Sequence, residues 1–259
     1  MGAVMRAQCL ITGAEPADQP LPLARQLARQ AVEKGVPAAG FELYRAFLAD
    51  PQYRYFDAQG RPDMSRYNAL AALPLAQRTD QIEAYNGLGT ALGAGNGPAV
   101  LSVLSYLTQT TAPGNLERTI NLAASAQRAN LQLPQFLLAD VQLAQQIKRL
   151  GGSQASVRTF KDAYRSALMA AVGQIRGGKS EGACDAKDIR IARVENIEPV
   201  LDAAYLPLNR PLANTYLMQG TWSESWVFAG CDQTAIVKMT FKADGWGGAF
   251  FSTSGVKPS

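Results

Sequence analysis

Along the first two thirds of the chain the apolar positions recur every three or four residues, and beyond Gly182 they alternate. Leu23, Leu27 and Ala31 line one side of a segment whose other faces carry Arg25, Arg29, Gln30 and Lys34, which predicts a helix. Gly35 stops it and Pro37 opens the next, where Phe41, Tyr44 and Phe47 form a stripe ending near Asp50-Pro51. Gln52 to Asp63 reads as a long polar connection dotted with aromatics, with a turn at Asp57–Gly60. Helices are predicted over Ser65–Leu73, Asp80–Leu92 and Ala99–Thr108, the last with Val100, Leu101, Leu104 and Leu107 apolar. Asn115 caps another, with Glu117 in its first turn. Pro134, Gly151-Gly152 and Gly177-Gly178 punctuate two more, the second with Phe160, Tyr164, Leu168 and Val172 at every fourth position. Upstream of Leu23, the prolines at 16, 20 and 22 predict an extended arm, because proline lacks the N–H a helix interior uses.

After Gly182 the period drops to two. Ile189, Ile191 and Val194 predict a strand, and Tyr216 to Met218 another. Trp222, Glu224, Trp226 and Phe228 alternate with Ser223, Ser225 and Val227. Gly230-Cys231-Asp232 turns the chain into Ile236–Phe241, and Asp244–Gly248 turns it again into Ala249–Thr253. The predicted architecture is α+β: an extended N-terminal arm over 1–19, a repeat-like helical-hairpin domain over 20–178, and a small antiparallel β module over 184–259. The joint falls between Gly177 and Cys184.

Two segments carry resemblances. Ala31-Val-Glu-Lys-Gly35-Val-Pro37-Ala-Ala39, followed by Leu43-Tyr44, resembles the hinge between paired helices of Sel1-like tetratricopeptide repeats. Leu92-Gly-Ala-Gly95-Asn-Gly97-Pro98-Ala99, followed by Leu104 and Tyr106, resembles it again. Those repeats stack helix pairs into a binding surface. The hinges at Gly35 and Gly97 lie about 62 residues apart rather than at the mid-thirties period of such repeats, so an irregular helical bundle stands beside a solenoid. The stretch from Gly220-Thr-Trp222 through Cys231 to Gly248-Ala-Phe-Phe251 resembles C-terminal modules of exported bacterial proteins of unassigned function.

The composition is that of a folded protein, with 47% hydrophobic and 18% charged residues. A formal charge of +4, with Lys and Arg scattered, lacks the footprint of a nucleic-acid binder. No apolar run approaches the roughly 18 residues of a membrane span, and Met1–Glu15 holds no apolar stretch of the kind a secretion signal carries. The chain therefore reads as a mature exported, periplasmic protein or as a cytoplasmic one. Of the three cysteines, Cys184 and Cys231 both fall in the β module and could staple it, which favours an oxidising compartment. Three buried free thiols are the alternative.

The chain has no His and no C-x-x-C, which removes Ser-His and Cys-His dyads and the common zinc sites; no metal and no cofactor is expected. Gly173-Gln-Ile-Arg-Gly177-Gly178-Lys179-Ser180 satisfies the phosphate-loop spacing. That chemistry needs a strand before the loop and a helix after it, whereas a helix precedes it here, so the segment reads as a glycine-rich helix stop. Ser254-Gly-Val-Lys257 fits S-x-x-K but lies at the very end. Glu15, Asp18, Asp57, Asp63, Glu195, Glu198 and Asp202 could supply paired carboxylates, although nothing in the sequence brings two together.

Trp222, Trp226 and Trp246 concentrate in the β module, either as an exposed aromatic platform for a sugar or protein or as core; Trp222 and Trp226 share with Phe228 the face a sheet would bury, which favours core. Glu224 lies between them on that face. A buried carboxylate needs a partner, which makes Lys238 or Arg210 the expected cation, or else leaves the face partly exposed. Tyr53-Arg54-Tyr55-Phe56 sits in the long connection, and aromatics with Arg are enriched at interfaces. Tyr53, Arg54, Tyr55, Phe56 and Glu224 are thus the candidate partner-binding residues, against a loop merely packed down by its own aromatics. The expected function is binding another protein rather than catalysis. The Sel1-like resemblance implies an immunity-type inhibitor that blocks a secreted antibacterial effector enzyme. A carboxylate-dependent hydrolase acting on cell-wall or glycan substrates, and an envelope-structural or lipid-binding protein, are the alternatives.

Overall fold

A computed structural model describes residues 2–53, 63, 65, 68, 72, 78–177 and 185–256. Helices come first and an antiparallel sheet follows, the α+β order that the two hydrophobic periods predict. The chain divides into two compact units: one of residues 1–103, 125–132 and 207–213, the other of residues 104–124, 133–206 and 214–259.

The first unit opens with α1 (Gly2–Thr12), α2 (Pro20–Glu33) and α3 (Ala39–Ala49), followed by a 3-10 turn at Pro51–Tyr53 and α4 (Thr79–Gly93). The extended arm expected over 1–19 is instead largely helical. The prolines act only downstream of Thr12, and Ala7 and Leu10 give α1 an apolar side that is buried with Ala24, Ala28, Leu43 and Ala46. Nor do Pro20 and Pro22 delay α2: they stand in its first turn, where the N–H groups have no intrahelical acceptor to lose. The shared core of α1, α2 and α3 is mostly alanine, so backbones approach closely. The closest approach joins α3 to α4: a Cβ added to Gly40 would lie 2.2 Å from the carbonyl oxygen of Gly87. Tyr44 and Phe47 both meet Tyr85 edge-on beside this crossing.

The second unit contains the C-terminal part of α5 (Gly97–Gln109), most of α6 (Asn115–Arg128), α7 (Gln135–Arg149), α8 (Val157–Arg176) and the sheet. Its strands are β1 (Arg190–Glu195), β2 (Leu201–Tyr205), β3 (Leu217–Gly230), β4 (Gln233–Ala243) and β5 (Ala249–Val256), all antiparallel, in the order β1-β3-β4-β5. β2 pairs with the first half of β3 and β1 with the second. Tyr216–Met218 and Trp222–Phe228, expected as separate strands, run into the single strand β3. In β4 the alternation is complete: Ala235, Val237, Met239, Phe241 and Ala243 are buried between exposed Lys238, Thr240 and Lys242. Helix α8 lies on the buried side, presenting Phe160, Ala163, Ala167 and Ala171 to it. Phe160 stacks on Trp226 with centroids 4.2 Å apart, and Trp222 stacks on Phe241 at 5.0 Å.

The division between units therefore does not fall between Gly177 and Cys184. The apolar stripe of α8 is buried on the sheet, so the helix before Gly177 and the strands after it share one core. Gly177 itself behaves as the residue pattern predicts. It takes a left-handed conformation and donates its N–H to the carbonyl of Gly173 after Arg176 in the last turn. Gly173 to Arg176 are helical, so no strand precedes the phosphate-loop-like segment; Gly178, Lys179 and Ser180 lie outside the described residues.

Five helices end by one device. The N–H six positions along the stop returns to its first carbonyl in Ala14→Cys9, Val36→Ala31, Asn96→Ala91, Leu131→Ala126 and Gly152→Ile147. Gly13, Gly35, Gly95, Asn130 and Gly151 supply the positive φ just before each of these donors.

The Gly40–Gly87 crossing yields a direct test. Gly40→Ala should destabilise the chain by about 1–3 kcal/mol through overpacking against a carbonyl that cannot yield. Gly93→Ala, where an added Cβ meets nothing within 4 Å, should be neutral or slightly stabilising. Urea denaturation of the two variants distinguishes a backbone crossing from a general intolerance of alanine.

Candidate functional site

The β4–β5 hairpin is built to hold an aromatic outward. Asp244 Oδ1 accepts hydrogen bonds from the N–H of Trp246 at 2.6 Å and of Gly248 at 3.0 Å. Gly245 and Gly247 take positive φ within the same turn. The Gly247 carbonyl accepts the Thr111 N–H at 2.6 Å, and a Cβ at Gly247 would press on the Tyr216 ring, so the tip is held from below. Trp246 projects from it, 63% exposed. Four residues on, Phe250 of β5 is 69% exposed on the sheet face away from α8.

Register continues this apolar surface across the sheet. Phe250 pairs with Lys242, Lys242 with Thr221 and Thr221 with Leu201. Directly opposed residues project from the same face, so these four form one row across β5, β4, β3 and β2, roughly 14 Å long at the usual strand spacing. Leu201 at its far end is 61% exposed. The row thus carries an aromatic, a cation, a hydroxyl and an aliphatic side chain, with the indole of Trp246 at the adjoining tip.

The opposite face of the same strands is closed. Glu224 is 1% exposed, opposite Met239 and between Trp222 and Trp226. Its Oε1 accepts from the Ser153 hydroxyl at 2.8 Å, the Gln154 N–H at 2.8 Å and the Trp222 indole at 3.1 Å. Its Oε2 accepts from the Trp226 indole at 2.9 Å and shares the Ser153 hydroxyl at 2.9 Å. Every donor is neutral. Neither expected cation, Lys238 or Arg210, is among its described contacts; Lys238 stands on the exposed face of β4 and points away. Burial pushes the Glu224 carboxyl up from the ordinary glutamate range, and the donors from Trp226, Gln154, Ser153 and Trp222 offset that only in part.

Glu224 accordingly leaves the list of partner-binding residues and becomes a tie between the α7–α8 loop and the sheet. Gly151 lets that loop approach: a Cβ there would lie 2.2 Å from the Val194 carbonyl oxygen, and the Val194 N–H donates to the Leu150 carbonyl at 2.6 Å.

Tyr53 lies in the first unit and is spent within it. Its ring stacks on Phe47 at 4.7 Å, the Arg25 guanidinium lies over it at 5.4 Å, and its hydroxyl donates to Asp80. Burial, followed by the Asp80 carboxylate, pushes its phenol up to about 12. These contacts match the loop held down by its own aromatics. Arg54, Tyr55 and Phe56 lie outside the described residues. Cys9 is a free thiol, and Cys184, the expected partner of Cys231, lies outside the described residues.

Among the carboxylates considered for catalysis, Glu15 pairs with Arg6 and Glu195 with Arg193, each on its own segment. No group of three potential metal ligands occurs among the described residues, and no helix among them is long and apolar enough to cross a membrane. Residue pattern offered Trp246 as part of an aromatic platform only together with Trp222 and Trp226, both of which are buried, and did not single out Leu201 or Phe250. A usable signal was present: Trp246 stands within Gly245–Gly248, too glycine-rich to pack a core strand, and adjacent Phe250 and Phe251 in one strand must face opposite ways. No protein-family model, no curated protein and no solved structure matches the chain.

The Glu224 tie has a pH signature. A carboxyl held high in the folded state favours folding while protonated, and that contribution is lost as pH rises through its folded value. The stability advantage of the native chain over Glu224→Gln should therefore be largest below the ordinary glutamate value of 4.5 and shrink above it. Urea midpoints of both proteins across that range would show it, and a pH-independent difference would contradict it. Ser153→Ala should cost about 1.5–3 kcal/mol, the scale of a hydrogen bond to a charged group.

Proposed function

We propose that this chain is a protein-binding module that engages its partner through the outer face of the sheet around Trp246 and Phe250. The observation that carries the reading is the pair of aromatics, each more than 60% exposed, on a hairpin fixed by Asp244 and continued by Lys242 and Leu201. Large apolar side chains standing in water gain most when a partner covers them, and the fixed hairpin backbone leaves little backbone entropy to be lost on binding. A cation beside an aromatic suits a protein surface of mixed apolar and acidic character. The binding surface thus moves from the Tyr53–Phe56 segment, whose first residue is already occupied within its own unit, to the β4–β5 hairpin.

In its most specific form the partner is a secreted antibacterial effector enzyme, and the chain is a periplasmic immunity-type inhibitor that blocks it without catalysis of its own. Two features support this form. At Gly35 and at Gly95, the hinges that resemble Sel1-like repeats, one helix follows another after a short turn, as in arrays that offer binding surfaces. A staple between Cys184 and Cys231, which this reading includes, would suit an oxidising compartment.

The test is affinity capture with the native chain and with the double variant Trp246→Ser, Phe250→Ser, from the envelope fraction of the native host, read by mass spectrometry. A partner enriched on the native chain should fall by at least about tenfold on the variant, while the thermal midpoint stays unchanged because both side chains are solvated. Equal capture by both would remove this face as the binding surface. Thiol titration under denaturing conditions should find one free thiol, Cys9; three would overturn the exported assignment.

A further inference from the structure

The two edges of the sheet are constructed differently. β1 and β2 share one edge. Both are short, and both break register against β3, between Ile191 and Arg193 and between Leu201 and Ala204. They also carry Arg190, Arg193, Glu195 and Asp202. Short strands, irregular register and charge are the means by which sheets keep an edge from recruiting another strand. β5 at the other edge has none of them. It pairs with β4 without a shift from Ala249 opposite Ala243 to Val256 opposite Ile236, and its sequence AFFSTSGV contains no charge and no proline. Among the described residues no strand pairs with its far side, and Ser252, Thr253 and Ser254 are exposed.

The direction of its free backbone groups follows from the hairpin. The Asp244 N–H donates to the Gly248 carbonyl at 3.3 Å, in the same register that sets Ala243 opposite Ala249. Hydrogen-bonded and non-hydrogen-bonded pairs alternate along an antiparallel ladder. Phe250, Ser252 and Ser254 therefore turn their N–H and C=O groups toward β4, and Phe251, Thr253 and Gly255 turn theirs toward the open edge.

We infer that the open edge of β5 pairs antiparallel with β5 of a second copy of this chain, joining two sheets about a two-fold axis at Thr253. Self-pairing fits this strand for two reasons. It has no charge to repel its own copy, and a two-fold contact needs a self-complementary edge. Outward-facing residues must also oppose outward-facing residues. With Thr253 opposite itself, Phe251 faces Gly255 of the copy, a cross-strand pairing in which an aromatic covers a glycine. About six backbone hydrogen bonds then form from groups that pair with no strand among the described residues. This edge is distinct from the outer face assigned to the protein partner, so either can fail without the other.

Sedimentation velocity of the native chain across the micromolar range tests the inference, with a concentration-dependent monomer–dimer equilibrium as the expected result. Thr253→Pro removes an N–H that points outward and leaves the β4 ladder intact. Thr253→Lys sets like charges opposite each other at the axis. Both should raise the dimer dissociation constant by at least about tenfold with the far-ultraviolet circular dichroism unchanged. If the proline variant fails to fold, the lysine variant decides. A native chain that stays monomeric throughout, or a dimer unaffected by Thr253→Lys, overturns the inference.

Discussion

The second unit depends on one carboxylate. Glu224 accepts hydrogen bonds from two indoles of its own strand and from a hydroxyl and a backbone N–H of the α7–α8 loop. Burying a carboxylate without a cation costs several kcal/mol, and only a full set of donors makes it tolerable. The constraint therefore runs outward. The donors must be in place together, so the loop must lie against β3, and Gly151 must admit it to the backbone of β1. Helix α8, which begins at the end of that loop, is then committed to the buried face, where Phe160 meets Trp226.

That commitment divides the work of the sheet between its faces. The inner face, with Trp222, Trp226, Phe228 and Phe241, is filled by α8 and has nothing to offer a partner. The outer face keeps Lys242, Phe250 and Leu201 in water. The backbone of the hairpin that ends β4 is fixed by Asp244 and by the Thr111 contact beneath Gly247, while the Trp246 side chain stays in water. A surface of this kind follows from a rigid core behind it. In that sense the buried glutamate and the exposed tryptophan belong to one account.

Much of this was legible in the residues. Gly35, Gly95 and Gly151 marked three of the five left-handed endings, because few other residues take positive φ cheaply; Asn130 and Gly13 carried no such signal in the residue pattern. Period-two alternation announced β3 and β4 and placed Glu224 on the buried face before any partner was known. What local pattern could not supply was the identity of the partners. Ser153 and Gln154 lie about 70 residues from Glu224 in sequence, and neither has a composition that marks it as a donor. The same limit explains the misplaced joint: Gly177 does stop a helix, but whether a stop separates two cores depends on what the helix packs against. α1 replaces the upstream part of the expected extended arm because each proline constrains only its own turn and none lies before Pro16.

The most direct measurement of the account is solvent exchange of the three indole N–H protons, followed by nuclear magnetic resonance on the 15N-labelled chain. Trp222 and Trp226, whose indoles are bound to Glu224, should exchange slowly, and Trp246, standing in water on its hairpin, should exchange at once. Equal exchange at all three sites, or rapid exchange at Trp222 or Trp226, would contradict it.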